Sequence, residues 1–347
     1  MRRLSRSSGR SILAITAGDP SGIGPEIILK ALAALKVSVD VSFVVIGDYP
    51  VFEHTARRLG LVLPRWRRIR SARDLFSASQ PRSFLDLAHG WNFVPGRSSA
   101  QAAQASLAYL NEAVALWKTG CLKAIVTAPV TKWAIERRCP GFIGQTEYLA
   151  TAMRVKTEAV VMMFVSECLR VVLLTRHLPL RKVSDSVSRR SLRRTLQLTI
   201  QSLRRQFQIA RPRLAICGLN PHAGERGILG DEEEKLLSPV LRDLRGGTVI
   251  CEGPFAADGL FAQIASASVS KRSYDAVICW YHDQGLIPFK MSAWNRGAQM
   301  TLGLPVIRTS PDHGSALDIA GRGIAHPGSL QYALTLATRL TLGQSTI

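Results

Sequence analysis

The sequence predicts an α/β fold built around a central sheet that is substantially parallel. Short apolar runs typical of buried strands alternate along the 347 residues with longer stretches typical of helices. Several of these runs end in proline, glycine or histidine, as expected where a buried strand passes into a turn. Hydrophobic residues make up 46% of the chain and aromatic residues 7%, which is typical of a globular protein. The length is sufficient for two domains, each with its own core.

The predicted strands follow one another in a regular order. They cover residues 12–16, 41–48, 123–130, 159–165, 169–175, 213–219 and 274–282. Helices are predicted after the first two strands, at 25–35 and 51–60. The sequence between residues 62 and 100 has no clear periodicity, and we expect it to form a loop region.

A glycine-rich motif, GDPSGIGPE at residues 18–26, joins the first strand to the first helix. Pro25 suits the first helical turn, and Glu26 suits the positive end of the helix dipole. The motif lacks the GxGxxG spacing of a standard dinucleotide site, and no acidic residue stands at the distance expected for a ribose contact. Two interpretations stay open: Asp19 has a role at a cleft between domains, or the glycines only reverse the chain.

The charge and hydropathy of the chain bear on its partners. The formal net charge is +20, which is compatible with nucleic-acid binding. The arginines are scattered, however, and at 188–213 they alternate with leucine, isoleucine and phenylalanine at helical spacing, so they fall on a solvated face. No nucleic-acid-binding motif accompanies them. We therefore expect no specific nucleic-acid partner. The apolar runs are shorter than the roughly 18–20 residues of a transmembrane helix, and we expect a cytoplasmic protein without a membrane partner.

Three histidines occur in three dissimilar contexts, each after an apolar run. They are His177 in VVLLTRHLPL, His222 in LAICGLNPHAGE and His282 in AVICWYHDQGLIPFK. Ligands gather at the carboxyl ends of strands in open α/β sheets, and three imidazoles there would hold a divalent metal with positions left for substrate. The alternative is three separate loop histidines, each with its own hydrogen bonds. The repeated context favours the metal site.

Seven segments together resemble the 4-hydroxythreonine-4-phosphate dehydrogenase family over nearly the whole chain. In order they are GDPSGIGPE, VTAPVTK, GQTEYLA, TRHLPL, CGLNPHAGE, WYHDQGLIPFK and TLGLPVIRTSPDHGSALDIAGRG. The end of the last segment, HGSALDIAGRG, is also similar to the adenine-binding segment of isopropylmalate dehydrogenases. The resemblance implies an isocitrate/isopropylmalate-dehydrogenase-like fold, in which two α/β/α domains flank an active-site cleft.

The resemblance also implies roles for individual residues. His177, His222 and His282 match the three metal ligands of the family. The residues that match substrate-binding positions are Gln145, Thr146, Lys290, Gln299 and Arg308. The residues that match the adenosine pocket of NAD are His313, Gly314, Ser315, Ala316 and Asp318.

Two of the substrate-binding positions depart from the family pattern. Gln145 stands where the family usually has histidine, and Gln299 stands where it has asparagine. Glutamine keeps a donor and an acceptor but never becomes cationic. A charge-assisted contact of ~1.5–3 kcal/mol therefore falls to a neutral one of about 1 kcal/mol at Gln145. The departures put the identity of the substrate in question.

By the resemblance, the protein oxidises 4-phosphohydroxy-L-threonine to a β-keto acid that loses carbon dioxide to give 3-amino-2-oxopropyl phosphate, in pyridoxal 5'-phosphate biosynthesis. The implied cofactors are NAD or NADP and one divalent metal per subunit, with zinc, magnesium and cobalt as candidates. Lys132 and Asp283 are candidates for proton transfer. Lys132 is alternatively a surface lysine at a helix start, and Asp283 a supporting partner of the neighbouring histidine.

The expected organisation is a homodimer whose active sites include residues from both subunits. The first domain is predicted to comprise residues 1–133 and 304–347, and the second residues 134–303. An alternative function is that of a paralogous dehydrogenase, dependent on NAD and a metal, for a 4-phosphothreonate-type sugar acid or a cyclic dihydrodiol carboxylate. A nucleic-acid-binding protein that has lost its activity is a third interpretation, which the three intact histidines disfavour.

Overall fold

The computed structural model describes residues 10–35, 38–71, 74–75, 81–90, 92–244, 249–267 and 273–344. The chain divides into two compact units. Unit 1 comprises Met1–Thr157 and Leu304–Leu342, and unit 2 comprises Glu158–Gly303 with Gly343–Ile347. The sequence analysis places the first boundary after residue 133. In the structure residues 134–157 belong to unit 1, because Ala134, Ile135 and Phe142 are buried in one apolar cluster with Ala103.

Unit 1 contains a parallel sheet. Its described strands are β1 (Ser11–Thr16), β2 (Val41–Gly47), β3 (Arg67–Ile69), β4 (Arg82–Asp86), β5 (Leu122–Thr127) and, after the chain returns from unit 2, β12 (Ile307–Pro311). They lie in the order β3-β4-β2-β1-β5-β12, and every described pair between them is parallel. Central strands such as β1 are apolar on both faces because helices cover both sides. The predicted parallel α/β arrangement is confirmed for this unit.

The region between residues 62 and 100 corrects one expectation. It contains β3 and β4 at one edge of the sheet of unit 1, where a loop region was predicted. Both strands are short, and β3 begins with the charged pair Arg67 and Arg68. Short, charged strands are typical of sheet edges, and they give little apolar periodicity for a sequence to reveal.

Unit 2 contains a mixed sheet. Its described strands are β6 (Val161–Ser166), β7 (Arg170–Leu173), β8 (Arg213–Cys217), β9 (Ile250–Phe255), β10 (Ala276–Cys279) and β11 (Gly297–Leu302). They lie in the order β11-β6-β7-β10-β8-β9. β6 is antiparallel to both of its neighbours, whereas β7, β10, β8 and β9 run parallel. Only three residues join β6 to β7, too few for the crossover that parallel strands need.

Helices accompany both sheets. Those of unit 1 are α1 (Gly24–Ala34), α2 (Tyr49–Leu59), α3 (Ala100–Lys118), α4 (Lys132–Arg138), α5 (Gln145–Ala152) and α11 (Gly328–Thr341). Those of unit 2 are α6 (Val183–Ser186), α7 (Arg189–Arg205), α8 (Ser238–Leu244), α9 (Ala257–Ser266) and α10 (His282–Ala293). Short helices of other types cover Thr157–Ala159, Leu180–Lys182, Pro221–Gly227 and Glu233–Leu237. Within the described ranges no helix is both long and apolar enough to cross a membrane.

Candidate active site

Two of the predicted metal ligands are neighbours in unit 2. Beyond the ends of β7 and β10 the two chain segments stay side by side, because Leu174 N–H donates to Cys279 O (2.8 Å) and Thr175 N–H to Trp280 O (3.0 Å). This pairing carries His177 and His282 to the same edge of the sheet. Their ring centroids lie 6.0 Å apart.

The His282 imidazole has a carboxylate partner. Its Nδ1 lies 2.7 Å from Oδ1 of Asp283, the next residue, at the first turn of α10. Because Nδ1 is engaged in this way, a metal would be bound through Nε2, the usual arrangement in which a carboxylate orients a ligating histidine. The geometry therefore agrees with the supporting role that the sequence analysis left open for Asp283.

His222 lies in a left-handed turn after β8. The φ angles from His222 to Arg226 are all positive, between 43° and 84°. A partly buried network holds this turn: Asn220 N–H donates to Glu233 Oε1 (2.8 Å), and the Asn220 side-chain amide donates to Glu232 and Glu233. Hydrogen bonds from Ser184 and Asn220 lower the pKa of Glu232. The network explains how four residues other than glycine, on either side of Gly224, keep an unusual backbone conformation.

Gln284 joins the two strand ends that precede His222 and His282. Its Oε1 accepts the Trp280 N–H (2.8 Å), and its Nε2 donates to the Gly218 carbonyl (2.7 Å). Trp280 Nε1 also donates to Cys217 O (2.7 Å), so β8 and β10 are tied together at their carboxyl ends. The sequence analysis missed this residue. The signal that was present is its place in HDQG, two positions after a predicted ligand.

The three predicted ligands do not form one cluster in a single chain. Among the residues that the structure describes, no group of three or more His, Cys, Asp or Glu side chains is placed to hold a metal ion. His222 instead lines a groove of about 550 Å³ in unit 2, together with Tyr281 and Asp283. The structure thus brings His177 and His282 together and leaves His222 apart from a complete ligand set.

The other predicted substrate residues of unit 2 lie on α10 and β11. Lys290 is half-buried, and its Nζ lies 6.0 Å from the centroid of the exposed Trp294 ring. Gln299 is buried within β11, and its Nε2 donates to Thr301 Oγ1 (3.1 Å). Burial and this hydrogen bond fix the Gln299 side chain within its strand.

Unit 1 contains a buried cation at the carboxyl end of β5. Arg308 is 2% exposed, and its guanidinium donates to Thr127 Oγ1 (2.7 Å) and Thr146 Oγ1 (3.4 Å). Burial lowers the pKa of Arg308 to about 10, against the opposing effect of the nearby Glu147 carboxylate. The two threonine hydroxyls orient the guanidinium, and the nearby Glu147 carboxylate favours its charged form.

Gln145 directly precedes Thr146, which accepts from this cation, and Lys132 lies beside Gly144. Gln145 Nε2 donates to the carbonyl of Ala128, which directly follows β5 (3.2 Å). Because a carbonyl only accepts, this contact fixes the amide orientation. The buried Oε1 then has no hydrogen-bond partner in the described part of the chain. A methyl group added at Gly144 would lie 3.8 Å from Lys132 Nζ, which places this exposed amine beside the GQTE segment.

The predicted adenosine segment follows β12 in unit 1. Ser315 is anchored twice: its hydroxyl lies 2.8 Å from Thr131 Oγ1, and its carbonyl accepts the Ile23 N–H (3.0 Å). Gly314 and Asp318 are exposed, and no atom lies within 4 Å of the position that a Gly314 methyl group would take. The remaining members, His313 and Ala316, are half-buried. The segment is held on one side and open on the other, as a ligand-binding segment requires.

Comparison with known proteins assigns the chain to a family. Residues 40–337 match the family described as pyridoxal phosphate biosynthetic protein PdxA. The chain belongs to the PdxA family. It is 39% identical over 330 residues to the 4-hydroxythreonine-4-phosphate dehydrogenase of Erythrobacter litoralis, covering 94% of this chain and 95% of that protein. The resemblance noted in the sequence is confirmed.

Two solved structures of dehydrogenases share the fold. The crystal structure of 4-hydroxythreonine-4-phosphate dehydrogenase from Klebsiella pneumoniae has a TM-score of 0.80 and 33% identity, with 95% of this chain and 99% of that chain covered. A terephthalate 1,2-cis-dihydrodiol dehydrogenase from Burkholderia xenovorans has a TM-score of 0.62 and 31% identity, with 96% and 99% covered. The predicted fold class is confirmed, and the matched family contains dehydrogenases of the kind that the sequence indicated.

Proposed function

We propose that this PdxA-family protein is an NAD-dependent, divalent-metal-dependent dehydrogenase acting on 4-phosphohydroxy-L-threonine. The β-keto acid formed loses carbon dioxide to give 3-amino-2-oxopropyl phosphate, on the route to pyridoxal 5'-phosphate. The observation that carries the proposal is the buried guanidinium of Arg308, oriented by Thr127 and Thr146, because a desolvated cation of this kind suits a phosphorylated substrate.

The phosphate is assigned to Arg308, Thr146 and Lys290. The planar guanidinium offers parallel N–H donors that match phosphate oxygens, and Lys290 adds a second positive charge. Because Arg308 is already held by two hydroxyls, binding an anion costs little side-chain ordering. Gln145 and Gln299 are assigned to the rest of the substrate, where they offer neutral hydrogen bonds.

His177, His222 and His282 are assigned to the metal. The 6.0 Å separation of the His177 and His282 rings and the Asp283 contact to His282 Nδ1 suit two ligands of one divalent ion. When bound, the ion would act as a Lewis acid towards the substrate hydroxyl. Of the candidates zinc, magnesium and cobalt, the transition metals suit three imidazoles better, because magnesium prefers oxygen ligands.

The segment from His313 to Asp318 is assigned to NAD or NADP. The open space beside Gly314 and the double anchoring of Ser315 fit a nucleotide lying along an ordered backbone. When bound, the nicotinamide would accept the hydride from the substrate carbon. His313, Gly314, Ser315 and Ala316 would position the adenosine end, and the exposed Asp318 carboxylate would reach its hydroxyl groups.

Lys132 is assigned to proton transfer. Its amine is exposed at the start of α4 and lies beside Gly144 and the substrate-assigned Gln145. It would take the proton of the substrate hydroxyl during oxidation and return a proton to carbon after the loss of carbon dioxide. Asp283 is assigned to orienting His282, because it already contacts Nδ1 of that ring.

The proposal includes a homodimer with shared active sites. The described residues of one chain do not bring His222 into a ligand set with the other two histidines. In addition, Ile287, Met291 and Trp294 form an exposed apolar stripe along α10 at 59%, 83% and 70% exposure. Such a stripe is typical of a surface covered by another chain, and it lies on the helix that begins with His282.

A second function is favoured by one specific observation. The structural neighbour from Burkholderia xenovorans is named for a dihydrodiol substrate that carries no phosphate. Gln145 and Gln299 stand at the two positions that depart from the phosphate-substrate pattern. The alternative is therefore a paralogous dehydrogenase of a cyclic dihydrodiol carboxylate or of a 4-phosphothreonate-type sugar acid.

The test is NAD reduction measured against a panel of phosphorylated and unphosphorylated hydroxy acids, with and without a chelator. We expect turnover of 4-phosphohydroxy-L-threonine that the chelator abolishes and added metal restores. Turnover of a dihydrodiol carboxylate alone would replace the first proposal with the second. No NAD reduction with any hydroxy acid, in a protein with verified metal content, would exclude both.

A further inference from the structure

The glycine-rich motif GDPSGIGPE at 18–26 has no role in the proposed function. Asp19 is buried, accepting the Ser21 N–H (2.8 Å) and the Ser98 hydroxyl (2.7 Å), so its carboxylate is used within the fold. We propose that the end of this motif and the helix after it position the adenosine segment, through the ion pair of the buried Glu26 and the partly buried Lys30. The proposal rests on the assignment of that segment to NAD.

The Lys30 ammonium group ties helix α1 to residues 323–325, which follow the adenosine segment in the chain. Nζ donates to Glu26 Oε1 (2.7 Å), to Gly323 O (2.7 Å) and to Ala325 O (2.9 Å). These three acceptors match the three hydrogens of an ammonium group. Glu26 Oε1 also accepts the Ala325 N–H (2.9 Å). Both members of the ion pair therefore bind the backbone of residues 323–325: the ammonium group through carbonyl oxygens, and the carboxylate through an N–H group.

The near end of the segment is held by the same motif. Ile23 N–H donates to Ser315 O, and a methyl group added at Gly22 would lie only 2.9 Å from that oxygen. Gly22 is therefore required for the close approach of the two backbones. The segment from Ser315 to Ala325 is thus tied to one continuous stretch of chain, 22–30, at both of its ends.

A third contact closes the segment from the side. Gly96 N–H donates to Ser21 O (2.8 Å), and a methyl group at Gly96 would lie 3.0 Å from Leu317 O. A methyl group at Gly321 would lie 2.7 Å from Pro95 Cβ. The loop around Pro95 and Gly96 therefore packs directly on the segment. In this fold the glycines of the motif allow close backbone packing and leave nucleotide contact to residues 313–318.

The Lys30 contacts act on the conformation of the nucleotide-binding segment, so their loss should lower the affinity for NAD. Removing the ammonium group leaves the Gly323 and Ala325 carbonyls without their charged donor, and the segment then samples other conformations. Apparent affinity falls in proportion to the fraction of binding-competent protein. A fall of that fraction to about one tenth would raise the dissociation constant for NAD about tenfold.

The experiment compares Lys30→Met and Glu26→Gln with the wild-type chain. Glu26→Gln keeps Oε1 as an acceptor, removes the charge and puts an amide NH2 in place of the buried Oε2, which makes no hydrogen bond with any described residue, so its effect should be smaller, about threefold or less. Lys235→Met is the matched control, because Lys235 forms an i,i+4 pair with Asp231 that is exposed in unit 2. NAD dissociation constants are measured by fluorescence titration, and hydrogen exchange is followed in peptides covering 313–325.

We expect Lys30→Met to weaken NAD binding about tenfold, to speed exchange in 313–325, and to leave the KM of the phosphorylated substrate unchanged. Lys235→Met should change none of these. Unaltered NAD binding and exchange in both Glu26→Gln and Lys30→Met would overturn the inference while the proposed function stands. If the wild-type chain binds no NAD, the proposed function and the inference are both wrong. If Lys30→Met does not fold, Glu26→Gln decides, since it retains all the acceptors.

Discussion

The two units hold their candidate site residues in opposite ways. In unit 1, Arg308 and Thr146 are each 2% exposed, hydrogen-bonded to one another and packed at the end of a parallel strand. In unit 2, the side chains of His282 and Asp283 are 43% and 70% exposed, and His177 and His222 are also exposed. The residues assigned to the phosphate are thus buried and ordered within unit 1, whereas the histidines assigned to the metal lie at the surface of unit 2.

Backbone geometry underlies this difference. Arg308 lies within β12 and pairs in register with Ile125 of β5, so the sheet itself fixes its position. His222 lies in a turn whose conformation depends on side-chain hydrogen bonds from Asn220. A side chain fixed by a sheet keeps its position when no substrate is bound. A histidine on a polar turn is expected to become more ordered when it binds a metal ion.

The largest expected effect tests the exposed side of this comparison. His177→Ala, His222→Ala and His282→Ala should each abolish detectable turnover, and chelation of the wild-type protein should do so reversibly, because each change removes one of three metal ligands. Elemental analysis should show metal loss in parallel. Full metal occupancy in a variant lacking all three histidines would show that the ion binds elsewhere.

Mixing the same inactive variants shows which ligands come from one chain. If His282 is supplied by one subunit and His177 with His222 by the other, as the resemblance implies, then His282→Ala chains should rescue either other variant. Random one-to-one exchange gives mixed dimers with one intact site, or about a quarter of wild-type activity. The 6.0 Å approach of His177 and His282 within one chain favours a different division, with His222 from the partner.

Three pairwise mixtures separate these arrangements. The pair of variants that fails to rescue identifies the two ligands that one chain supplies together. Failure of His177→Ala with His222→Ala supports the division implied by the resemblance. Failure of His177→Ala with His282→Ala supports the one favoured by ring proximity. Failure of all three mixtures, with chain exchange verified by mass spectrometry, would place the whole ligand set in one chain.

The next largest expected effect tests the buried Arg308 site of unit 1. Arg308→Met should raise the KM of a phosphorylated substrate about a hundredfold, because two charge-assisted hydrogen bonds are lost at roughly 1.5 kcal/mol each.

Burial holds the pKa of Arg308 near 10, below its ordinary value, so its positive charge costs stability at every pH below about 10. That cost falls as the pH rises from 10 towards the ordinary arginine value. Arg308→Met removes this cost, but it also removes the hydrogen bonds to Thr127 and Thr146 and the charge beside Glu147, so the response to phosphate is the decisive measurement.

Inorganic phosphate completes this test in thermal unfolding. It should raise the unfolding temperature of the wild-type protein and leave that of Arg308→Met unchanged. Arg205→Met, which alters an exposed arginine on α7, should keep the full response to phosphate. An equal response in all three proteins would mean that Arg308 serves only the fold.

Much of this comparison was accessible from the sequence. The seven predicted strand regions coincide with strands, and the three histidines follow β7, β8 and β10 as expected. Local apolar runs suffice for such predictions, because a buried strand leaves its pattern in a few consecutive residues. The residues assigned to the substrate in unit 1 were found by resemblance, and Arg308 and Thr146 are in contact.

The remainder depends on contacts between distant parts of the chain. Gln284 can bond to both Trp280 and Gly218 only because β8 and β10 are neighbours in the sheet. No local sequence pattern reveals that they are neighbours. The antiparallel direction of β6 follows from the short connection to β7, yet its apolar run alone is equally typical of a parallel strand. Likewise, residues 134–157 join unit 1 because their side chains pack against α3.

A smaller expected effect, on metal affinity, tests whether Gln284 holds His222 and His282 in position. Gln284→Ala should weaken metal binding about 10–100-fold, the usual consequence of removing a group that orients ligands from outside the metal shell. Gln284→Glu keeps the acceptor for Trp280 N–H but places a second acceptor against the Gly218 carbonyl, so it should bind metal no better than Gln284→Ala. Competition with a chromophoric chelator measures the affinity. Gln201→Ala on the exposed face of α7 is the control, and equal affinities throughout would remove Gln284 from the site.

The smallest expected effect concerns the departures from the family pattern. Gln145 donates to Ala128 O and leaves a buried Oε1 as an acceptor, whereas the family histidine would offer a further donor to an anionic substrate. Gln145→His combined with Gln299→Asn should therefore lower the KM for 4-phosphohydroxy-L-threonine, by at most about tenfold for each 1.4 kcal/mol gained. The NAD dissociation constant should stay the same, because Ser315 is anchored by Thr131 and Ile23, which these changes leave intact. Activity lost towards the best substrate of the wild-type protein would instead mean that the glutamines are fitted to another ligand. The chain would then be better described as a paralogous dehydrogenase. Its Arg308 site would still bind an anionic group, but the rest of its substrate would differ from 4-phosphohydroxy-L-threonine.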